Sequence, residues 1–306
     1  MLNICGQRGY EINTKEHLTF SFIGGDLRQL RVISLLSDEG FHIRVFGFGE
    51  EVSEVAKKVY VSRSVADCLV GADYVVLPLP YSVDKITVNA PLTGLGISVN
   101  EVLENIDKSM VLFAGKIDGN LERKCAAEDI KVYDYAKREE LAVMNAVPTA
   151  EGAIETAMTN TPFTIKGSKC LVIGYGKIGK VLSYDLKALG AEVTATSRSK
   201  VTLAEIDTAG YHSVLTGNIK NVVSDFDIIF NTVPDMVLGS KALAATNKDV
   251  LIIDLASRPG GVDFAEAKRL DRRVLWTLSL PGKVAPYTAG AIIKDTLINM
   301  IEELEV

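Results

Sequence analysis

The chain is poor in the residues that build metal centres, disulfide scaffolds and nucleic-acid surfaces. Its 306 residues include 4 cysteines, 3 histidines and 1 tryptophan. Cys5, Cys68, Cys125 and Cys170 form no Cys-x-x-Cys, and His17, His42 and His212 form no His-x-x-His, so no metal is expected. Cys68 and Cys170 sit in apolar patterns and read as buried thiols of a reduced, cytoplasmic protein. The net charge is −6 with no basic run, which argues against nucleic acid as a partner. Any anionic ligand must then be held by local positive charge. No apolar run approaches the ~20 residues that span a bilayer. The first residues also lack the basic-then-apolar layout of a signal peptide, so no membrane association is expected. Neither a Gly-x-Ser-x-Gly elbow nor a histidine–carboxylate pair at catalytic spacing is present. The catalytic residues therefore stay unassigned, and the chemistry is expected to be carried by a cofactor.

What is present is an ordinary globular composition, 47% apolar and 24% charged, arranged as short apolar strands alternating with helical patterns. Strands are expected near Leu18–Ile23, Ile43–Phe46, Tyr74–Leu79, Met110–Phe113 and Lys131–Tyr135 in the first half. A second set follows near Leu171–Ile173, Val193–Thr196, Ile228–Phe230, Leu251–Ile253 and Val274–Leu278. The fold class this implies is α/β: two doubly wound, parallel-sheet, Rossmann-like domains with a hinged cleft. The expected boundaries are 1–147, 148–286 and a closing helical segment, 287–306, returning to the first domain. Thr149 is the expected N-cap of a helix reaching Met158. His212 reads as a surface or helix-end residue.

Just past the midpoint, an apolar run leads into Gly174-Tyr-Gly176-Lys177-Ile178-Gly179, then a helical pattern and another strand. This is the context of a dinucleotide fingerprint. Gly174 permits the tight turn, Gly176 lets backbone approach a pyrophosphate, and Gly179 allows close helix–strand packing. At the end of the next strand, NAD enzymes usually carry a carboxylate for the ribose hydroxyls. Here the residues are Ser197, Arg198 and Ser199, which suit a 2′-phosphate and favour NADP over NAD. The alternative is a solvated turn arginine. Asn231-Thr232-Val233-Pro234 follows a buried strand and is expected to meet the nicotinamide ribose or carboxamide.

Ligands of open α/β sheets bind beyond the carboxyl ends of the strands. That rule nominates Arg28, Ser82, Lys116, Arg258 and Lys283 as substrate contacts. In Gly24-Gly25-Asp26-Leu27-Arg28-Gln29, Asp26 stands where a second fingerprint glycine would be, so a second dinucleotide is not expected there. Arg28 could hold a carboxylate ligand, or Asp26 could simply cap the helix with Arg28 in solvent. Lys116 is equally readable as an exposed post-strand lysine.

Taken in order, Ile23–Leu30, Asn145–Ala153, Gly174–Gly179 with Ser197-Arg198, Asn231–Pro234, Asp254–Gly261, and Leu280–Pro286 with Thr288–Gly290 resemble the family of dipicolinate synthase A subunits of spore-forming bacteria. The fingerprint alone is shared with alanine dehydrogenases, D-2-hydroxyacid dehydrogenases and adenosylhomocysteinase. The resemblance implies an NADP-linked oxidation of hydroxy-tetrahydrodipicolinate or dihydrodipicolinate to dipicolinate during sporulation. It also implies a small dicarboxylate substrate and a partner, the flavoprotein-like B subunit of dipicolinate synthase. A homo-oligomer is left open. Two other functions stay open: a nucleotide-binding regulatory or scaffold subunit, and an amino-acid or hydroxy-acid dehydrogenase of the same two-domain class.

Overall fold

A computed structural model describes residues 18–55 and 59–304; Cys5 and His17 lie outside the described residues. The chain divides into two compact units: everything up to Arg138 together with Gly290 onward, and Glu139–Ala289.

The first unit runs β1 (Thr19–Ile23), α1 (Leu27–Asp38), β2 (His42–Phe46), α2 (Glu51–Val55), β3 (Val59–Val61), α3 (Val65–Leu69), β4 (Tyr74–Val76), α4 (Val99–Glu104), β5 (Val111–Ala114), α5 (Gly119–Ala127) and β6 (Lys131–Asp134). The second runs α6 (Glu139–Met144), α7 (Ala146–Asn160), β7 (Lys169–Ile173), α8 (Lys177–Ala188), β8 (Glu192–Ser197), α9 (Lys200–Thr208), β9 (His212–Leu215), β10 (Ile228–Asn231), α10 (Ser240–Ala245), β11 (Leu251–Asp254), α11 (Phe264–Arg269), β12 (Arg273–Trp276) and α12 (Leu280–Val284). A last helix, α13 (Pro286–Leu304), follows.

Both sheets are six-stranded and parallel, ordered β3-β2-β1-β4-β5-β6 and β12-β11-β10-β7-β8-β9. Each is the doubly wound order in which the first strand of the unit lies at the centre, beside the fourth. The strands are apolar on both faces because helices cover both. In β7, Cys170 and Val172 face a core containing Leu182 and Leu186 of α8, whereas Leu171 and Ile173 face one with Leu238 and Leu243. In the first unit, one face of the sheet is aromatic: Phe20, Tyr74, Phe113 and Tyr133 follow one another across β1, β4, β5 and β6, with centroids 5.1–6.0 Å apart.

Two strands escape the sequence pattern. β3 and β9 are short edge strands, half-buried at best: β3 is apolar but only three residues long, and β9 opens on His212 and Ser213, so neither gives the pattern of the central strands. His212 opens β9 and is exposed. Thr149 is not an N-cap. α7 already starts at Ala146, and the Thr149 hydroxyl donates to Asn145 O at 2.6 Å from within the first turn. Pro148 fits there because first-turn N–H groups have no helical partner to lose. Leu280–Val284, expected as a loop, is a short helix.

Candidate nucleotide site

The fingerprint glycines do three different jobs. Gly174 has φ +94°, and a Cβ there would meet Thr232 Oγ1 at 2.5 Å and Val233 Cγ2 at 2.7 Å. At Gly179 a Cβ would run into the carbonyl of Gly174, so α8 can lie this close to the β7 turn only with glycine. Gly176 is the opposite case: a Cβ there meets nothing within 4 Å, and the residue is exposed. Gly176 is also the N-cap of α8, a 12-residue helix with no side-chain cap, so its first-turn N–H groups stay open to an anion. An open glycine in front of uncapped donors fits a dinucleotide pyrophosphate. Beside it, Lys177 pairs with Glu139 at 2.8 Å, and Ile178 is half-buried against the core.

At the end of β8, Ser197 Oγ accepts from Ser199 N at 3.1 Å, and Ser199 Oγ accepts from Thr202 N at 3.4 Å as the N-cap of α9. Each hydroxyl keeps its own proton to donate. Arg198 projects into solvent, its side chain 82% exposed and 3.7 Å from Asp235. It borders a cavity of about 740 Å³. Leu215, Ile219, Met236 and Val237 supply apolar wall, and Lys220 and Lys241 join Arg198 as cations.

The turn after β10 is held by its own side chains. Asn231 is fully buried. Its amide nitrogen donates to Val233 O (2.9 Å) and Asp254 Oδ1 (2.8 Å), and its oxygen accepts from Val233 N (3.1 Å). The half-buried Thr232 hydroxyl donates to Ile173 O at 2.9 Å and keeps its oxygen as an acceptor. Val233 packs over Gly174 and Pro234 is exposed. Asp254, also fully buried, accepts from Asn231, from Ala256 N (3.0 Å) and from Gly261 N (2.9 Å). Asn231 and Asp254 thus tie the loops after β10 and β11 together. Arg258, in the second of these loops, is exposed, with its guanidinium 5.5 Å from the Trp276 ring centroid. Trp276 is fixed by a 2.9 Å hydrogen bond to Ala256 O. Lys283 is exposed on α12.

In the first unit, Asp26 fills the position that Gly176 leaves open. Its carboxylate accepts from Arg28 N at 2.9 Å as the N-cap of α1. It also pairs with Arg28 Nε and NH2, the closest contact being 2.7 Å. Arg28 is buried, not in solvent, and its NH2 also donates to Leu79 O. Next to it, Tyr135 donates to Leu77 O at 2.9 Å, and burial pushes the phenol above its usual range. Ser82 is committed too, donating to Asp84 at 3.0 Å and accepting from Lys85 N. Donors from Thr87, Ile86 and Ser82 hold the Asp84 carboxyl well below the usual range. Lys116 stays exposed at φ 59°, its backbone N–H bound to Asp134. Among the described residues, no group of His, Cys, Asp or Glu could hold a metal ion, and no helix is long and apolar enough to cross a membrane.

Sequence reasoning missed Lys220, Lys241 and Asp254. The lysines follow elements too short to register as patterns, and Asp254 carries no local signal beyond ending an apolar strand.

Comparison with known proteins agrees with this layout. Residues 19–136 match the family model for the N-terminal domain of the dipicolinate synthase A subunit. Residues 141–266 match that of the D-isomer specific 2-hydroxyacid dehydrogenase NAD binding domain, so the second unit is a nicotinamide-dinucleotide domain of the dehydrogenase type. The dipicolinate synthase A subunit of Bacillus subtilis (strain 168) is 32% identical over 293 residues, 94% of this chain and 97% of the relative. The crystal structure of the B. subtilis protein superposes with a TM-score of 0.85 at 32% identity, over 94% of this chain and 97% of that one. The corresponding protein from Bacillus halodurans gives 0.87 at 30% identity, over 94% and 98%. With that likeness running through both units, the chain belongs to the family of dipicolinate synthase A subunits.

Proposed function

We propose that the chain is an NADP-dependent oxidoreductase that forms dipicolinate from hydroxy-tetrahydrodipicolinate or dihydrodipicolinate during sporulation, together with a second subunit. The observation that carries the cofactor choice is the end of β8. Arg198 and two serine hydroxyls stand where a carboxylate would repel a 2′-phosphate. The uncapped N-terminus of α8 takes the pyrophosphate, with Gly176 giving it room. A bound nicotinamide supplies the hydride acceptor. From dihydrodipicolinate the oxidation transfers a hydride to the nicotinamide and releases a proton; from the hydroxy-tetrahydro form one water must leave as well, and aromaticity gained in the product favours the forward direction.

The protein's part is to bind and orient. Asn231 and Asp254 hold the loops after β10 and β11 in one geometry, and this sets where Arg258 begins. A dicarboxylate needs cations on a chain whose net charge is −6. Arg258 and Lys283, both in the second unit, are exposed and enter no ion pair among the described residues, which supports them as its contacts. Arg28 and Ser82 already have internal partners.

The test is to mix the purified chain with NADP⁺ and enzymatically generated hydroxy-tetrahydrodipicolinate, with and without the partner protein. Dipicolinate absorbance should rise. No rise in either mixture overturns the activity. Product formed only with the partner, by a chain that binds nucleotide but cannot itself reduce NADP⁺, would favour a regulatory or scaffold role instead. A panel of amino and hydroxy acids tests the broader dehydrogenase class.

A further inference from the structure

Arg198 is not the only cation facing the adenosine end of the proposed site. The cavity beside it is walled by residues from three separate stretches: the end of β8, the turn after β9, and the segment from Met236 to Ala242 that enters α10. Lys220 lies on the second and Lys241 on the third. The chain has 39 acidic residues against 33 basic ones, yet no Asp or Glu lines this cavity and three cations do. Neither lysine ammonium has an ion-pair or hydrogen-bond partner among the described residues, so neither is already neutralised. By contrast, the nearby lysines Lys177 and Lys180 pair with Glu139 and Glu205. The apolar side chains between the cations, Leu215, Ile219, Met236 and Val237, offer a purine ring wall to pack on but no anion partner.

We infer that Lys220 and Lys241 are specificity residues for the phosphorylated nucleotide, sharing the adenosine 2′-phosphate with Arg198. The inference rests on the NADP reading above and adds to it. Arg198 by itself is a modest determinant, because it is exposed and Asp235 lies 3.7 Å from its NH1 as a competing partner. A phosphate carrying close to two negative charges would draw Arg198 from Asp235 and meet two further ammonium groups from other loops. Point charges on flexible stems suit this sharing, since the bidentate geometry is left to the arginine.

The test uses adenosine 2′,5′-bisphosphate and 5′-AMP, two probes that differ only in the 2′-phosphate, titrated calorimetrically into the full chain. Wild type should prefer the bisphosphate. Lys220→Ala and Lys241→Ala should each cut bisphosphate affinity by about 2- to 5-fold, the size expected of a solvent-screened charge pair. Both should move 5′-AMP less than twofold. Arg198→Ala should keep part of the preference, and the triple variant should lose it. Asp235→Asn, which removes the competing carboxylate, should tighten the bisphosphate. If wild type prefers the bisphosphate and both lysine variants keep the full preference, the lysines have no role and the inference falls while the NADP reading stands. If wild type shows no preference between the probes, the NADP reading fails and the inference fails with it. Thermal unfolding of each variant within a degree or two of wild type assigns the losses to binding and not to folding.

Discussion

The two units share a sheet order, yet their central turns are opposites. After β7, the chain leaves an exposed glycine and an uncapped helix; after β1, a carboxylate caps the helix and an arginine is locked onto it. The same topology thus offers an anion-binding helix end in one unit and fills it from within in the other. The lesson is that doubly wound topology supplies the position of a site, and a few residues at the first turn decide whether it is available.

The largest effect should come from breaking the filled turn. Asp26→Ala removes the α1 cap and leaves the buried Arg28 guanidinium without its carboxylate. Losing one partner of a buried pair costs ~3–5 kcal/mol, and the lower end applies because Asp26 is a quarter exposed. Chemical denaturation should show it. Asp26→Ala combined with Arg28→Met should recover much of the loss, because no unpaired charge remains.

Next comes the open turn. Gly179→Ala forces a methyl against the Gly174 carbonyl and should cost ~1–3 kcal/mol while distorting the nucleotide turn. Gly176→Ala should leave thermal stability nearly unchanged, since its methyl meets no protein atom, but should weaken nucleotide binding. Equal stability losses from the two substitutions would show that Gly176 is there for folding.

Arg258→Lys should raise the apparent KM for the dicarboxylate several-fold and leave NADPH affinity nearly intact, because it keeps the charge and loses the fork. Unchanged substrate kinetics would remove Arg258 from the site. Arg198→Ala should weaken NADPH by roughly tenfold, the lower end for a charge-assisted hydrogen bond to phosphate because the side chain is 82% exposed, and should barely affect NADH.

The smallest effect concerns the thiols. Burial raises Cys68 to about 12, and Cys125 and Cys170 to about 11, so the reactive thiolates are disfavoured in the native state. Alkylation at pH 8 should therefore spare all three until denaturant is added. Rapid native modification of any of them would contradict their burial.

Much of this was legible in the sequence. The central strands of both sheets announce themselves as apolar runs, and the three fingerprint glycines have roles that follow from spacing alone. The edge strands β3 and β9 do not: β3 is only three residues long, and β9 mixes His212 and Ser213 with two apolar residues. Where single residues were concerned, spacing nominated the right loops but could not say which polar side chains were already used. Asn231, Thr232, Arg28 and Ser82 all proved bonded within their own unit. Such partners are 50 or more residues away in several cases, as with Arg28 and Leu79 or Thr232 and Ile173. Only the fold brings them together. Lys220 and Lys241 were hidden because they come from separate stretches that only the fold brings to one cavity.

The contrast between the two turns is tested most directly by the stoichiometry of nucleotide binding. Titrating NADPH into the wild-type chain and into Gly176→Val should give one site per chain for the first and a severe loss of binding for the second. Two sites per chain, or one site that survives Gly176→Val with undiminished affinity, would contradict the account.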